Sequence, residues 1–214
     1  MPSCPHWSEP EKGEQIQHVA AGLAEYYKFI VSACKRRYII QHGDIKTYHR
    51  KVFGRVVPLD YYAGNYRSKD PARPCLAQDV QVNGVLGEPF ATVPSAMSTF
   101  SSDFVDMISR TDQYLALTIS STERAQAVAQ LAAAGMGQLI LVHPFLNGNG
   151  RMARMLVNYV FKRYGYPMPF RQSLVRPPET EYATASASAM GPSSTFDPLY
   201  RYILRLVARA AAMP

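Results

Sequence analysis

Four consecutive apolar residues, Leu139-Ile140-Leu141-Val142, close an Ala-rich segment that begins near Thr122, and His143-Pro144 follows at once. A helix that is apolar on every side has no face to give to water, so it belongs in the middle of a domain with other elements packed around it. Pro144 disfavours helical geometry at the residue before it, so this helix is predicted over 122–142 and ends at His143.

The rest of the chain reads as further helices around that core. Ser8-Glu9-Pro10-Glu11 has the spacing of a capping box with Pro in the first turn. Ile16, Val19, Leu23, Tyr26, Tyr27, Ile30 and Cys34 then recur at helical spacing, which predicts a long helix to about Tyr38. Ile45, Tyr48, His49, Val52 and Phe53 share one face of a second helix ending near Gly54; His49 on that apolar face reads as structural. Residues 55–79 are irregular. Val80-Gln81-Val82-Asn83-Gly84-Val85 alternates around Asn-Gly, the signature of a small exposed β-hairpin. Pro94 opens a helix with Met97, Phe100, Phe104, Val105 and Ile108 inward, and further helices are predicted over 150–164, 178–190 and 197–212. The fold class is mainly α with one small hairpin.

With 214 residues, 47% hydrophobic and 18% charged, the chain can bury a full core. No uninterrupted apolar run reaches the roughly 18 residues of a membrane span, and the N-terminus lacks the pattern of a secretory leader. Cys4, Cys34 and Cys75 are odd in number and widely spaced, so neither a disulfide framework nor a metal motif is expected, and a reducing, cytoplasmic setting is the natural reading. The net charge of +7 favours anionic partners without choosing among them. Nucleic acid finds no RRM or KH pattern here.

Chemistry concentrates between two helices, in His143-Pro144-Phe145-Leu146-Asn147-Gly148-Asn149-Gly150-Arg151-Met152-Ala153-Arg154. Gly-Asn-Gly lets backbone N–H groups turn toward a ligand, and the next helix presents its unpaired N–H groups and positive dipole end to the same place. Arg151 and Arg154 lie three apart on one face of that helix, with Asn158 continuing it. Such a loop suits a polyphosphate, and His143 beside it suits a general base. A plain helix–loop–helix corner stays open on these grounds alone. It is not a P-loop, because no Gly-Lys-Ser/Thr follows.

The same segment resembles the signature of Fic-domain proteins, HPFx(D/E)GNGRxxR, with Asn147 where the family has Asp or Glu. Ala63-Gly64-Asn65-Tyr66-Arg67 resembles the family's segment ahead of its flap, and the hairpin of residues 80–85 stands where that flap belongs. Gly165-Tyr166-Pro167, Arg176, Tyr182 and Asp197-Pro198-Leu199 resemble its C-terminal half. The resemblance covers roughly residues 40–210, so it implies a Fic domain over 40–214 behind an N-terminal helical extension over 1–39.

The resemblance implies a Fic fold and a protein adenylyltransferase that moves AMP from ATP to a Ser, Thr or Tyr hydroxyl of a target protein. His143 would take the hydroxyl proton. Gly148, Asn149 and Gly150 would hold phosphates through backbone N–H groups, Arg151 the β and γ phosphates, and Arg154 the γ phosphate. Phe145 would anchor the loop, Tyr182 would line the adenine pocket, and the flap (Val80, Gln81, Val82, Asn83, Gly84, Val85) would dock the target as an added strand. The residue at 147 would bind Mg²⁺; an amide carries no charge, so weaker metal binding and lower activity are expected. None of the eight Glu precedes Gly or Asn, so the family's inhibitory (S/T)xxxE(G/N) motif is absent, and a separate antitoxin-like protein is one possible source of control. Two alternatives stand beside this: a nucleotide-binding module silenced at Asn147, or transfer of UMP or phosphocholine. Target, oligomeric state and delivery into another cell stay open.

Overall fold

The computed structural model describes residues 3–8, 10, 13–82, 84–170, 176–191 and 193–211. Helix α4 (Ser121–Val142) runs through the centre, as its composition predicts. Its start is fixed by a capping box: the Ser120 hydroxyl accepts from the Glu123 amide at 3.2 Å, and the Glu123 carboxylate accepts from the Ser120 amide at 2.8 Å. Three helices pack on it: α3 (Val93–Leu115), α5 (Asn149–Arg163) and α7 (Asp197–Ala211). Among the described residues α4 alone is long and apolar enough to cross a membrane. Its neighbours bury Val128, Leu131, Met136 and Leu139, so its apolar surface is core surface.

On the other side, α1 (Glu14–Lys35) packs against α2 (His42–Phe53) and α5. Val19, Leu23, Tyr26 and Ile30 of α1 are buried in the same core as α4, so this helix is not a detachable appendage. The short α6 (Thr180–Ala187) lies on α7. Asp112 of α3 accepts from Arg37 at 2.9 Å and from Arg163 at 2.8 Å, tying the end of α5 to its neighbours. Two short 3₁₀ turns, Asp60–Tyr62 and Pro74–Leu76, punctuate the irregular stretch. The hairpin pairs β1 (Gln81–Val82) with β2 (Val85–Leu86), Gln81 opposite Leu86 and Val82 opposite Val85. Asn83 at its turn lies outside the described residues.

Two expectations need correction. The first helix starts at Glu14, capped by Gly13, and not at the Ser8 box. Ser8 lies in a segment that is neither helix nor strand, because Trp7 beside it is buried against Phe53 and Tyr62, and that burial outweighs a local cap of about 1 kcal/mol. Glu9 and Glu11 lie outside the described residues. Second, Cys4 and Cys75 form a disulfide, with Cα atoms 5.4 Å apart, inside the usual range. The two are 71 positions apart, and spacing carries no trace of a contact that the docked N-terminal segment creates. The reducing-compartment reading, which rested on unpaired cysteines, loses that support. Cys34 is free.

Candidate active site

Where α4 stops, His143 adopts the left-handed conformation (φ 48°, ψ 59°) that lets the chain reverse into Pro144. Its Nδ1 lies 3.4 Å from the Ile140 carbonyl. A carbonyl only accepts, so Nδ1 carries the proton and Nε2 presents a lone pair. Burial pushes the His143 pKa down to about 4, with the Arg67 charge adding to it, so the imidazole is neutral at physiological pH. A neutral imidazole with a free Nε2 can accept a proton.

Arg67 fixes the ground on which His143 stands. The side chain is wholly buried. Its Nε donates to the His143 carbonyl at 2.9 Å, and Nη2 donates to Val142 at 3.1 Å and to Glu88 at 2.7 Å. Nη1 donates to the Gln78 carbonyl at 3.2 Å, and the Arg67 amide to Pro144 at 2.8 Å. One guanidinium thus neutralises the negative end of the α4 dipole and grips the chain both before and after the hairpin. Burial lowers its pKa to about 10, which leaves it charged. Gly87, just past β2, is so close to His143 that a Cβ there would meet the histidine Cβ at 3.1 Å. The hairpin and the imidazole are therefore neighbours.

The loop after His143 is braced from within. The Asn149 carboxamide closes it with two bonds, accepting from the Phe145 amide at 2.9 Å and donating to the Phe145 carbonyl at 2.8 Å. Phe145 is fully buried and stacks on His49 with centroids 3.6 Å apart. Gly148 sits at φ 82°, and a Cβ would fall 2.5 Å from the Phe53 ring and 2.9 Å from His49 Nε2, so no larger residue fits. His49 accepts at Nδ1 from the Gly64 amide at 2.9 Å, which forces the proton onto Nε2, and Nε2 donates to the Asn147 carbonyl at 3.0 Å.

Arg151 and Arg154 stand in the first two turns of α5, 6% and 4% exposed. Arg154 Nη1 donates to the Tyr182 hydroxyl at 3.1 Å, and Arg151 lies over the Phe53 ring. Burial lowers the Arg151 pKa to about 10, and the nearby Arg154 charge contributes. Arg151 remains protonated at neutral pH. Two guanidinium groups close together present forked donors of the kind that suit a polyanion. Asn158, read as part of this face, belongs elsewhere: its amide is committed to the Phe170 backbone, at 3.0 and 2.9 Å.

Asn147 is also committed. Its Oδ1 accepts from the Gly148 amide at 2.8 Å, and its Nδ2 donates to the Trp7 carbonyl at 3.0 Å. The chemistry expected at this position is a carboxylate oxygen offered to Mg²⁺. Asn147 offers only an uncharged oxygen that already accepts from Gly148, and among the described residues no group of three His, Cys, Asp or Glu could hold a metal. The residues present do not fit a protein-held Mg²⁺.

Residues 39–161, with this loop and α5 inside them, match the family described as Fic/DOC. The chain belongs to the Fic/DOC family. It is 31% identical over 169 residues to the Caenorhabditis elegans protein adenylyltransferase fic-1, a match over 78% of this chain and 27% of that protein. The Fic fold is also that of a Fic-domain signaling protein from Bacteroides thetaiotaomicron (TM-score 0.64, 18% identity, 95% of this chain and 73% of that one) and of a solved C. elegans Fic-1 fragment (TM-score 0.63, 23% identity, 96% and 54%). The chain spans about a quarter of the length of the curated relatives it matches.

Within this Fic fold the structure gathers His143, Asn147–Gly150, Arg151 and Arg154 around one loop, and sets the hairpin beside it. Sequence reasoning read His49 as structural, as it is, without its bond to the loop, and gave Arg67 no role. The signal for both was buried polarity: a histidine on an apolar helix face, and an arginine directly after Ala63-Gly64-Asn65-Tyr66. Trp7, in the stretch without resemblance to anything, carried no signal.

Proposed function

We propose that this chain transfers AMP from ATP to a hydroxyl of a target protein. The reading is carried by one observation: two arginines buried near each other in the first two turns of a helix whose preceding loop is braced into a fixed shape. That is a site for the phosphate tail of a nucleotide. His143 Nε2 takes the proton as the target's hydroxyl oxygen attacks the α-phosphorus; the bond to the pyrophosphate oxygen breaks, and pyrophosphate leaves. Arg151 and Arg154 hold the departing charge. The hairpin aligns the target as an added strand through backbone bonds, which gives position without much choice of sequence. Residues 1–39 serve as an extension to the Fic unit of 40–214.

The test is incubation with α-labelled ATP and a cell lysate, beside His143→Ala. Label on a protein in the wild-type reaction alone, with an added AMP mass on one Ser, Thr or Tyr, supports the reading. No label, and no difference between the two proteins, defeats it. A second reading, a nucleotide-binding module without transfer, is favoured by the double commitment of Asn147, and calorimetry showing ATP binding without transfer would select it.

A further inference from the structure

The N-terminal segment lies on the phosphate end of the site and is fastened there. The Cys4–Cys75 disulfide ties it to the Pro74–Leu76 turn. The Tyr62 hydroxyl donates to the Pro5 carbonyl at 3.0 Å. Trp7 is 6% exposed, against His49, Phe53 and Tyr62. Beyond these anchors, two carbonyls point at side chains of the site. Trp7 accepts from Asn147 Nδ2 at 3.0 Å, and Pro10 accepts from Arg151 Nη2 at 3.4 Å.

Asn147 is the residue type this contact demands. An amide can donate to a carbonyl; a carboxylate would set oxygen against oxygen. With Nδ2 held by Trp7, Oδ1 turns back onto the Gly148 amide, one of the N–H groups assigned to phosphate. The departure from the family's acid and the docked segment are thus two halves of one contact. The docking is not free of cost: Trp7 Nε1 is buried without a hydrogen-bond partner among the described residues.

We propose that the described N-terminal residues, Ser3–Ser8 and Pro10, form a redox-latched strap: with Cys4 and Cys75 joined it holds Asn147 and Arg151 away from nucleotide, and reduction lets it lift. This rests on the nucleotide reading above and adds its regulation. The reductant is a dithiol. One of its thiolates attacks the sulfur of Cys4, which is on the exposed side, whereas Cys75 is 3% exposed. The protein's S–S bond breaks, and Cys75 leaves as a thiolate and takes a proton. The reductant's second thiolate attacks the mixed disulfide, releasing Cys4 as a thiol. Two electrons pass to the protein, and the reductant ends as a disulfide. A strap docked nine-tenths of the time weakens apparent affinity about tenfold.

Trp7 is the chain's single tryptophan, so its fluorescence reports the strap directly. The full chain is compared oxidised, reduced with dithiothreitol, and as Cys4→Ser without reductant, with acrylamide quenching of Trp7 and calorimetric titration of ATP. Reduction should shift Trp7 emission to the red, raise quenching and tighten ATP binding about tenfold, and Cys4→Ser should match reduced wild type. Unchanged emission and unchanged affinity overturn the proposal. ATP bound equally in both states, with Trp7 released, overturns the gating and leaves the nucleotide site standing. ATP bound in neither state, with Trp7 released, places the failure in the nucleotide reading, and the gating falls with it.

Discussion

His49 joins two segments that are far apart in sequence: its Nε2–H holds the carbonyl of Asn147 at 3.0 Å while its Nδ1 takes the amide proton of Gly64. Only the neutral ring can donate on one side and accept on the other. The loop that carries the site chemistry therefore depends on a histidine that never titrates in the working range.

That dependence predicts acid sensitivity. Burial holds the His49 pKa at about 3 against an ordinary 6.5, and the His143 pKa at about 4. Between those values and 6.5 the unfolded chain binds protons that the folded chain refuses. Stability is complete above pH 6.5 and falls as pH drops, by up to about 1.4 kcal/mol per pH unit for each histidine. Urea unfolding midpoints should decline from pH 7 to pH 4.5. His49→Gln, with a donor and an acceptor but no titrating proton, should flatten that decline; a wild-type midpoint constant over this range would contradict the account.

Arg67 should be among the least replaceable residues. Arg67→Met strips partners from the carbonyls of Val142, His143, Gln78 and Glu88 at once. The expected loss is about 3–5 kcal/mol in denaturant unfolding. Arg67→Lys keeps the charge but not the fork, so it should recover only part of that. Wild-type stability in Arg67→Met would show that the grip is incidental.

Two glycines only two positions apart should answer differently to alanine. Gly148→Ala meets both a left-handed backbone and the Phe53 ring at 2.5 Å, and should lose about 2 kcal/mol or more along with ATP binding. Gly150→Ala meets nothing nearer than Arg154 Nη1 at 3.5 Å. It sits inside α5, where alanine is favoured by up to about 1 kcal/mol, so it should be neutral or stabilising. Thermal melts of both variants decide the matter.

Asn147→Asp should raise transfer in the labelled-ATP assay. It restores the family's acid and removes the donor to the Trp7 carbonyl, so Trp7 should become more accessible to acrylamide as well. Unchanged transfer with a more accessible Trp7 would mean that residue 147 positions the N-terminal segment but does not limit the reaction.

Sequence alone settled what local rules govern. The period of apolar residues placed the helices, because one face of each must be buried; Asn-Gly marked the hairpin; Pro144 set the end of α4. Residue identity in His143–Arg154 supplied the chemistry, since a base, a glycine turn and two arginines are legible without coordinates. Tertiary structure alone decided what these residues touch. The Cys4–Cys75 bond, the Trp7 carbonyl on Asn147 and the His49 clamp join positions 71, 140 and 98 residues apart. Contacts at such separations arise from how whole elements pack, and neither periodicity nor composition encodes them.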